Sequence, residues 1–201
     1  MMKKPADTHY PLTPLIRDRW SPVCLSSREI PPEVLGSLFE AARWAPSSYN
    51  EQPWAFCFAT HDQPAEFAAI LGCLAEANQE WAKNAYGLMI SVARLSFERN
   101  GKPNRHASHD VGLATQNFFL QALSHGIYCH PMAGFDFEKA KTVLEVPATH
   151  EAVAAIAFGY PVDDASQCPL GHQQRDAGGR LRKPLASVVF KGKFGEAEDR
   201  F

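Results

Sequence analysis

The sequence predicts an α+β fold in which helices pack on a sheet. Two observations carry that prediction. Segments with helical periodicity mix with short apolar runs typical of strands, without the strict β-α-β order of a doubly wound fold. The 201 residues are 45% hydrophobic and 11% aromatic, enough apolar material for one sizeable core. Residues 1–201 therefore read as one domain, with 1–14 as an N-terminal extension and 192–201 as a C-terminal tail.

Four segments read as helices. Pro31 and Pro32 lead into an apolar stripe of Val34, Leu35, Leu38, Phe39 and Ala42. Proline suits a first helical turn, and Pro46 stops the helix. Residues 64–78 place Phe67, Ile70, Leu71 and Leu74 on one face. Residues 110–125 are apolar on most sides and predict a central, buried helix ended by Gly126. Residues 137–144 predict a shorter helix, with Asp136 at its N-cap and Pro147 beyond its end. Runs 54–60, 86–94 and 152–158 predict strands, with a short fourth at 187–191 and a fifth candidate at 126–131. Stretches 97–109 and 161–179, polar and rich in Gly, Pro, Asn or Gln, read as loops.

Twenty Lys and Arg against 22 Asp and Glu leave a net charge of −2, so no global positive field exists to hold a nucleic-acid backbone. The five cysteines are odd in number and form no C-x-x-C pair. No disulfide framework is expected, and a reducing, cytoplasmic setting is. Cys57 and Cys73 read as buried thiols. Residues 1–20 lack the apolar core of a signal peptide, and the longest apolar runs fall far short of the about 20 residues of a membrane helix. Neither nucleic acid nor a membrane is an expected partner.

Metal chemistry is not expected. His106 and His109 form an H-x-x-H pair at a helix entry, but the spacing and the missing Glu differ from the zinc-protease pattern, and Asp110 reads as a helix cap. Nucleophilic catalysis is not expected either. No G-x-S-x-G elbow occurs, and the adjacent Cys129 and His130 would point to opposite faces of a strand. Dinucleotide and P-loop glycine motifs are absent.

Three polar clusters remain. Arg17, Arg19 and Ser21 offer forked, charged donors and a hydroxyl that suit a phosphate. The segment 45–54 (APSSYNEQPW) packs many donors and acceptors between two stiffening prolines. Arg180, Arg182 and Lys183 supply three cations in four residues, as a second phosphate contact or as ordinary surface charge.

These motifs, in this order, resemble the FMN-dependent nitroreductase-like flavoproteins over roughly residues 15–189. Arg19-Trp20-Ser21 resembles that family's opening R-x-S. The segment 45–54 resembles its A-P-S-x-x-N-x-Q-P-W signature, and His109 to Ala114 resembles its central helix. Pro131 to Asp136 resembles its P-x-x-G-F-D turn. Phe158 to Pro161 and Arg182-Lys183-Pro184-Leu185 resemble its closing motifs.

The resemblance implies a mostly antiparallel central sheet flanked by helices, in an intertwined homodimer with FMN at the interface. By the same resemblance Arg19, Trp20 and Ser21 contact the phosphate end and the polar ring edge of FMN, and Arg180 and Arg182 meet the phosphate. Asn78 faces the pyrimidine ring. Pro131, Met132, Ala133 and Gly134 lie against the flavin, with the Ala133 or Gly134 N–H toward N5. Pro46, Ser47, Ser48 and Asn50 come from the second subunit. The implied activity is NAD(P)H oxidation through flavin N5, with hydride passed to a nitroaromatic, a quinone or an enone. No side chain is needed as a catalytic acid or nucleophile. A specialised reaction on the same fold (dehalogenase, flavin-degrading or azoline dehydrogenase type) and a non-catalytic FMN-binding protein stay open. Val23 stands where the family commonly has Lys or Arg, with Lys83 or Arg17 as substitutes, and Ala133 stands in place of an acidic residue.

Overall fold

The computed structural model describes residues 4–198 and 200. The first three residues of the N-terminal extension and two of the tail's residues, 199 and 201, lie outside them. Among the described residues, four strands form one antiparallel sheet: β1 (Trp54–Thr60), β2 (Gly87–Arg94), β3 (Tyr128–Met132) and β4 (His150–Gly159), in the order β1-β2-β4-β3. β2 is buried along almost its whole length, which explains its unbroken apolar sequence.

Each face of the sheet is covered by helices. One face presents Leu88, Ile90 and Val92 of β2. The short helices α3 (Pro64–Leu71), α4 (Glu76–Ala82) and α6 (Phe137–Val143) supply Phe67, Ile70, Trp81 and Ala140 to the core there. The other face presents Met89, Cys129, Ile156 and Phe158 to α2 (Pro32–Arg43) and α5 (Ala107–Ser124). A Cβ at Gly87 would fall 2.2 Å from the Phe158 ring, so only glycine lets that ring lie across β2.

Several expectations need correction. Residues 64–78 are two helices, because the chain turns at Gly72 so that Leu74 pairs with Phe135 and the Cys73 carbonyl accepts the Asp136 N–H. The expected strand at 187–191 is absent. Residues 185–187 form a 3₁₀ turn, and Phe190 makes only an isolated bridge to Ala197. The supposed loop 161–179 contains α7 (Leu170–Ala177), and α1 (Pro14–Asp18) precedes Arg19. α5 is not buried all round: Ser108, His109, Gly112 and Gln116 are exposed. Asp110 lies within its first turn, while the N-cap is His106.

Cys24 and Cys168 form a disulfide across 144 positions, against the expectation of no disulfide framework. Among the described residues, no helix is long and apolar enough to cross a membrane.

Candidate functional site

Arg19 follows α1 directly, and its Nη1 donates to Ser21 Oγ at 3.3 Å. From the far end of the chain, the arm after α7 brings Arg180 and Arg182 to the same place. Arg180 Nη1 donates to the carbonyls of Lys4 and Arg17, both at 2.6 Å. Burial first, then the charges of Arg180 and Arg182, push the Arg19 pKa below its ordinary value. Burial and Arg182 act likewise on Arg180, and Asp18, itself paired with Arg17, offsets this in part. Among the described residues, Arg19, Arg180 and Arg182 form no ion pair. Three guanidinium groups held by neutral oxygens, none of them in an ion pair among the described residues, suit an oxyanion such as a phosphate monoester.

The distance in sequence is closed by α7. Its buried Asp176 accepts the N–H groups of Val23 at 3.0 Å and of Cys24 at 3.1 Å, and the Cys24–Cys168 bridge fastens the other end. No sequence pattern pointed to Asp176.

A second group leaves the edge strand β3. Pro131 is exposed, as an edge position permits, whereas Met132 is buried in the core. The Gly134 carbonyl accepts Asn78 Nδ2 at 3.0 Å and the Ala75 N–H at 2.9 Å. Asn78 thus holds the turn in place. Among the described residues, the N–H groups of Ala133 and Gly134 donate to no other group. A Cβ at Gly134 would sit 2.8 Å from Asn78 Nδ2. Gly134→Ala is expected to cost about 1 kcal/mol, the low end for overpacking because an amide tip can shift. Urea unfolding measures it, and an Asn78→Ala background should remove most of the cost.

The third group is the loop 46–52, which enters the opposite edge strand, β1. Tyr49, Asn50 and Gln52 have φ values of 55°, 57° and 52°, a region that side chains disfavour. Buried Asp110 holds the loop by accepting the Ser48 N–H at 2.9 Å. Ser47 Oγ accepts the Gln52 N–H at 3.0 Å, and Glu51 binds Arg94 at 2.5 Å. The anchoring role of Asp110, expected only as a helix cap, and the Glu51–Arg94 pair were missed by sequence reasoning, although both carboxylates lie in recognised motifs. Asn50 is exposed.

The strand register sets Met132 level with Ala155, Ile90 and Cys57, in the middle of β1, while Trp54 lies at its end, and the two edges are three strand spacings apart. That separation is about 14 Å. The structure therefore brings Arg19, Ser21, Arg180 and Arg182 together, and Asn78 with Gly134. It does not join Pro46, Ser47, Ser48 and Asn50 to them within one chain.

The remaining candidates are structural. The Val23 side chain is buried in the core and cannot supply the charge of a Lys or Arg. Burial drives the Cys129 thiol far above its ordinary pKa. His130 donates from Nδ1 to the Pro22 carbonyl at 2.9 Å, with its ring 4.6 Å from that of Trp81. No group of three or more metal-ligating side chains occurs among the described residues.

Burial lowers the His130 pKa below 6.5. The folded state then binds its proton less readily than the unfolded state. Its contribution to stability is complete above about pH 6.5 and declines as the pH falls through the window between the two pKa values. Unfolding midpoints between pH 7.5 and 5 should fall more steeply in the wild type than in His130→Gln, as denaturant titrations would show.

Residues 16–160 match the nitroreductase family. The chain belongs to that family. A solved structure described as an oxidoreductase containing FMN superposes on this nitroreductase-family chain with a TM-score of 0.86 at 34% identity. That match covers 94% of this chain and 96% of the other. An FMN-dependent nitroreductase from Clostridium difficile shares the fold at a TM-score of 0.63 and 21% identity, over 75% of this chain and 87% of its own. The 4-nitrobenzoate reductase of Pseudomonas putida is 23% identical over 177 residues, 67% of this chain and 78% of that protein.

Proposed function

We propose that this nitroreductase-family chain is an FMN-dependent oxidoreductase that takes hydride from NAD(P)H, and that it works as a homodimer with FMN at the interface. The observation that carries the proposal is the cluster of Arg19, Arg180 and Arg182, a cationic cradle for one phosphate group. The relatives described as containing or depending on FMN support the choice of cofactor.

FMN, when bound, supplies hydride chemistry from NAD(P)H to a small acceptor such as a nitroaromatic, a quinone or an enone. The chain's residues bind and orient. Arg19, Arg180 and Arg182 hold the phosphate, while Ser21 and the Trp20 backbone hold the adjoining polar edge. The Ala133 or Gly134 N–H would face the flavin, and Asn78 fixes their turn. Pro46, Ser47, Ser48 and Asn50 of a second protomer complete the site, since one chain keeps them on the far edge of its sheet. The arm after α7 exposes Leu181, Val188 and Phe194, apolar surface suited to wrapping a second copy.

The test is direct. The purified protein should show flavin absorption, bleach on anaerobic addition of NADH or NADPH, and elute at twice the chain mass. A colourless protein that fails to take up added FMN would refute the proposal.

A further inference from the structure

Beside the disulfide lies a polar cavity of about 230 Å³ that both Cys24 and Cys168 line. Its other walls include Ser26, His61, Lys83, Asn84 and His172. Every ionisable side chain among these lining residues is basic, and no carboxylate joins them. The arrangement is fixed on one side, where His61 Nε2 donates to the Lys83 carbonyl at 2.9 Å. A small basic cavity that ends on a disulfide is suited to a particular visitor. An anionic thiol would be drawn in by Lys83, and nearby cations favour the thiolate, the form that attacks disulfides.

We propose that this cavity is a thiol–disulfide exchange site, where a small anionic thiol reduces Cys24–Cys168 and releases the segment that carries α7. The incoming thiolate attacks one sulfur of the bridge and forms a mixed disulfide. The other sulfur leaves with the S–S electron pair and takes up a proton. A second thiolate then attacks the external sulfur of the mixed disulfide; the cysteine sulfur leaves with the S–S electron pair and takes up a proton, leaving two cysteine thiols and one external disulfide, with two electrons passed to the protein.

The bridge joins the two segments that meet at the arginine cluster. Cys24 follows Arg19 and Ser21 closely, and Cys168 lies just before α7 and the arm of Arg180 and Arg182. Once the bridge is cut, the Asp176 hydrogen bonds still tie α7 to the Val23–Cys24 backbone, but no covalent link does among the described residues. Reduction should therefore loosen FMN, a consequence that rests on the proposed cofactor.

The experiment treats the oxidised protein with mercaptoacetate, mercaptoethanol or cysteamine at equal thiolate concentration and low salt. Bridge loss is followed by alkylation and mass spectrometry, and FMN affinity by fluorescence. Mercaptoacetate should react about tenfold faster than cysteamine, the scale of electrostatic steering. Lys83→Gln should shrink that ratio several-fold. Equal rates for the three thiols, or a ratio that Lys83→Gln leaves unchanged, would overturn the exchange site. Unchanged FMN affinity after confirmed reduction would overturn the coupling to the cradle. If neither redox form binds FMN, the proposed cofactor fails, while the thiol rates still decide the exchange site.

Discussion

Replacing Phe118 by alanine is expected to destabilise the protein by about 3–5 kcal/mol, the usual cost of emptying a fully buried aromatic position. Phe118 is 0% exposed. Its ring meets Phe39 of α2 at 5.1 Å and Phe158 of β4 at 5.7 Å, so it joins both covering helices to the sheet. Phe158 in turn occupies the space that Gly87 leaves open. Urea unfolding measures the loss. A value below about 2 kcal/mol would show that α2 and α5 collapse into the gap, since the cost depends on how much cavity remains.

Arg19→Ala is expected to weaken FMN binding by about 1.5–3 kcal/mol, the range for a hydrogen bond to a charged group. That is roughly a ten- to hundredfold rise in Kd. Arg19 is half-buried beside two like charges, so its interaction with an oxyanion is poorly screened. Arg182 is exposed, and its removal should cost less and depend more on salt. Arg180 is a poorer test of binding alone, because its loss also frees the carbonyls of Lys4 and Arg17. Fluorescence titration at low and moderate salt separates these cases. Wild-type affinity in both Arg19→Ala and Arg182→Ala would place the phosphate elsewhere.

The sheet and its main helices were legible because their information is local. The stripe from Val34 to Ala42 and the apolar runs of β1, β2 and β4 carry their periods in consecutive residues. Asp136 was readable as a cap, and it accepts the Lys139 N–H at 2.9 Å. α7 was not legible. Its sequence, LGHQQRDA, has almost no apolar stripe, and what fastens it is distant: a cysteine 144 positions away and the N–H groups of Val23 and Cys24. The same applies to the site. Motif resemblance singled out Arg19, Gly134 and Asn50. That Asn78 grips the Gly134 carbonyl and that Asp110 anchors the 46–52 loop are facts of tertiary packing.

The placement of the 46–52 loop and the arginine cradle on opposite edges of one sheet makes the proposed site amenable to genetic complementation. A chain carrying Arg19→Ala keeps a sound loop, and a chain carrying Asn50→Ala keeps a sound cradle. Each alone should assemble into pairs with two damaged sites. A mixed pair concentrates both lesions in one site and leaves the other intact. When the two chains are unfolded together and refolded in equal amounts, about half of the pairs should be mixed and about a quarter of all sites restored, by the statistics of random pairing in a two-fold dimer. Two nearly inactive preparations would then yield activity on mixing, whereas a site confined to one chain would gain none.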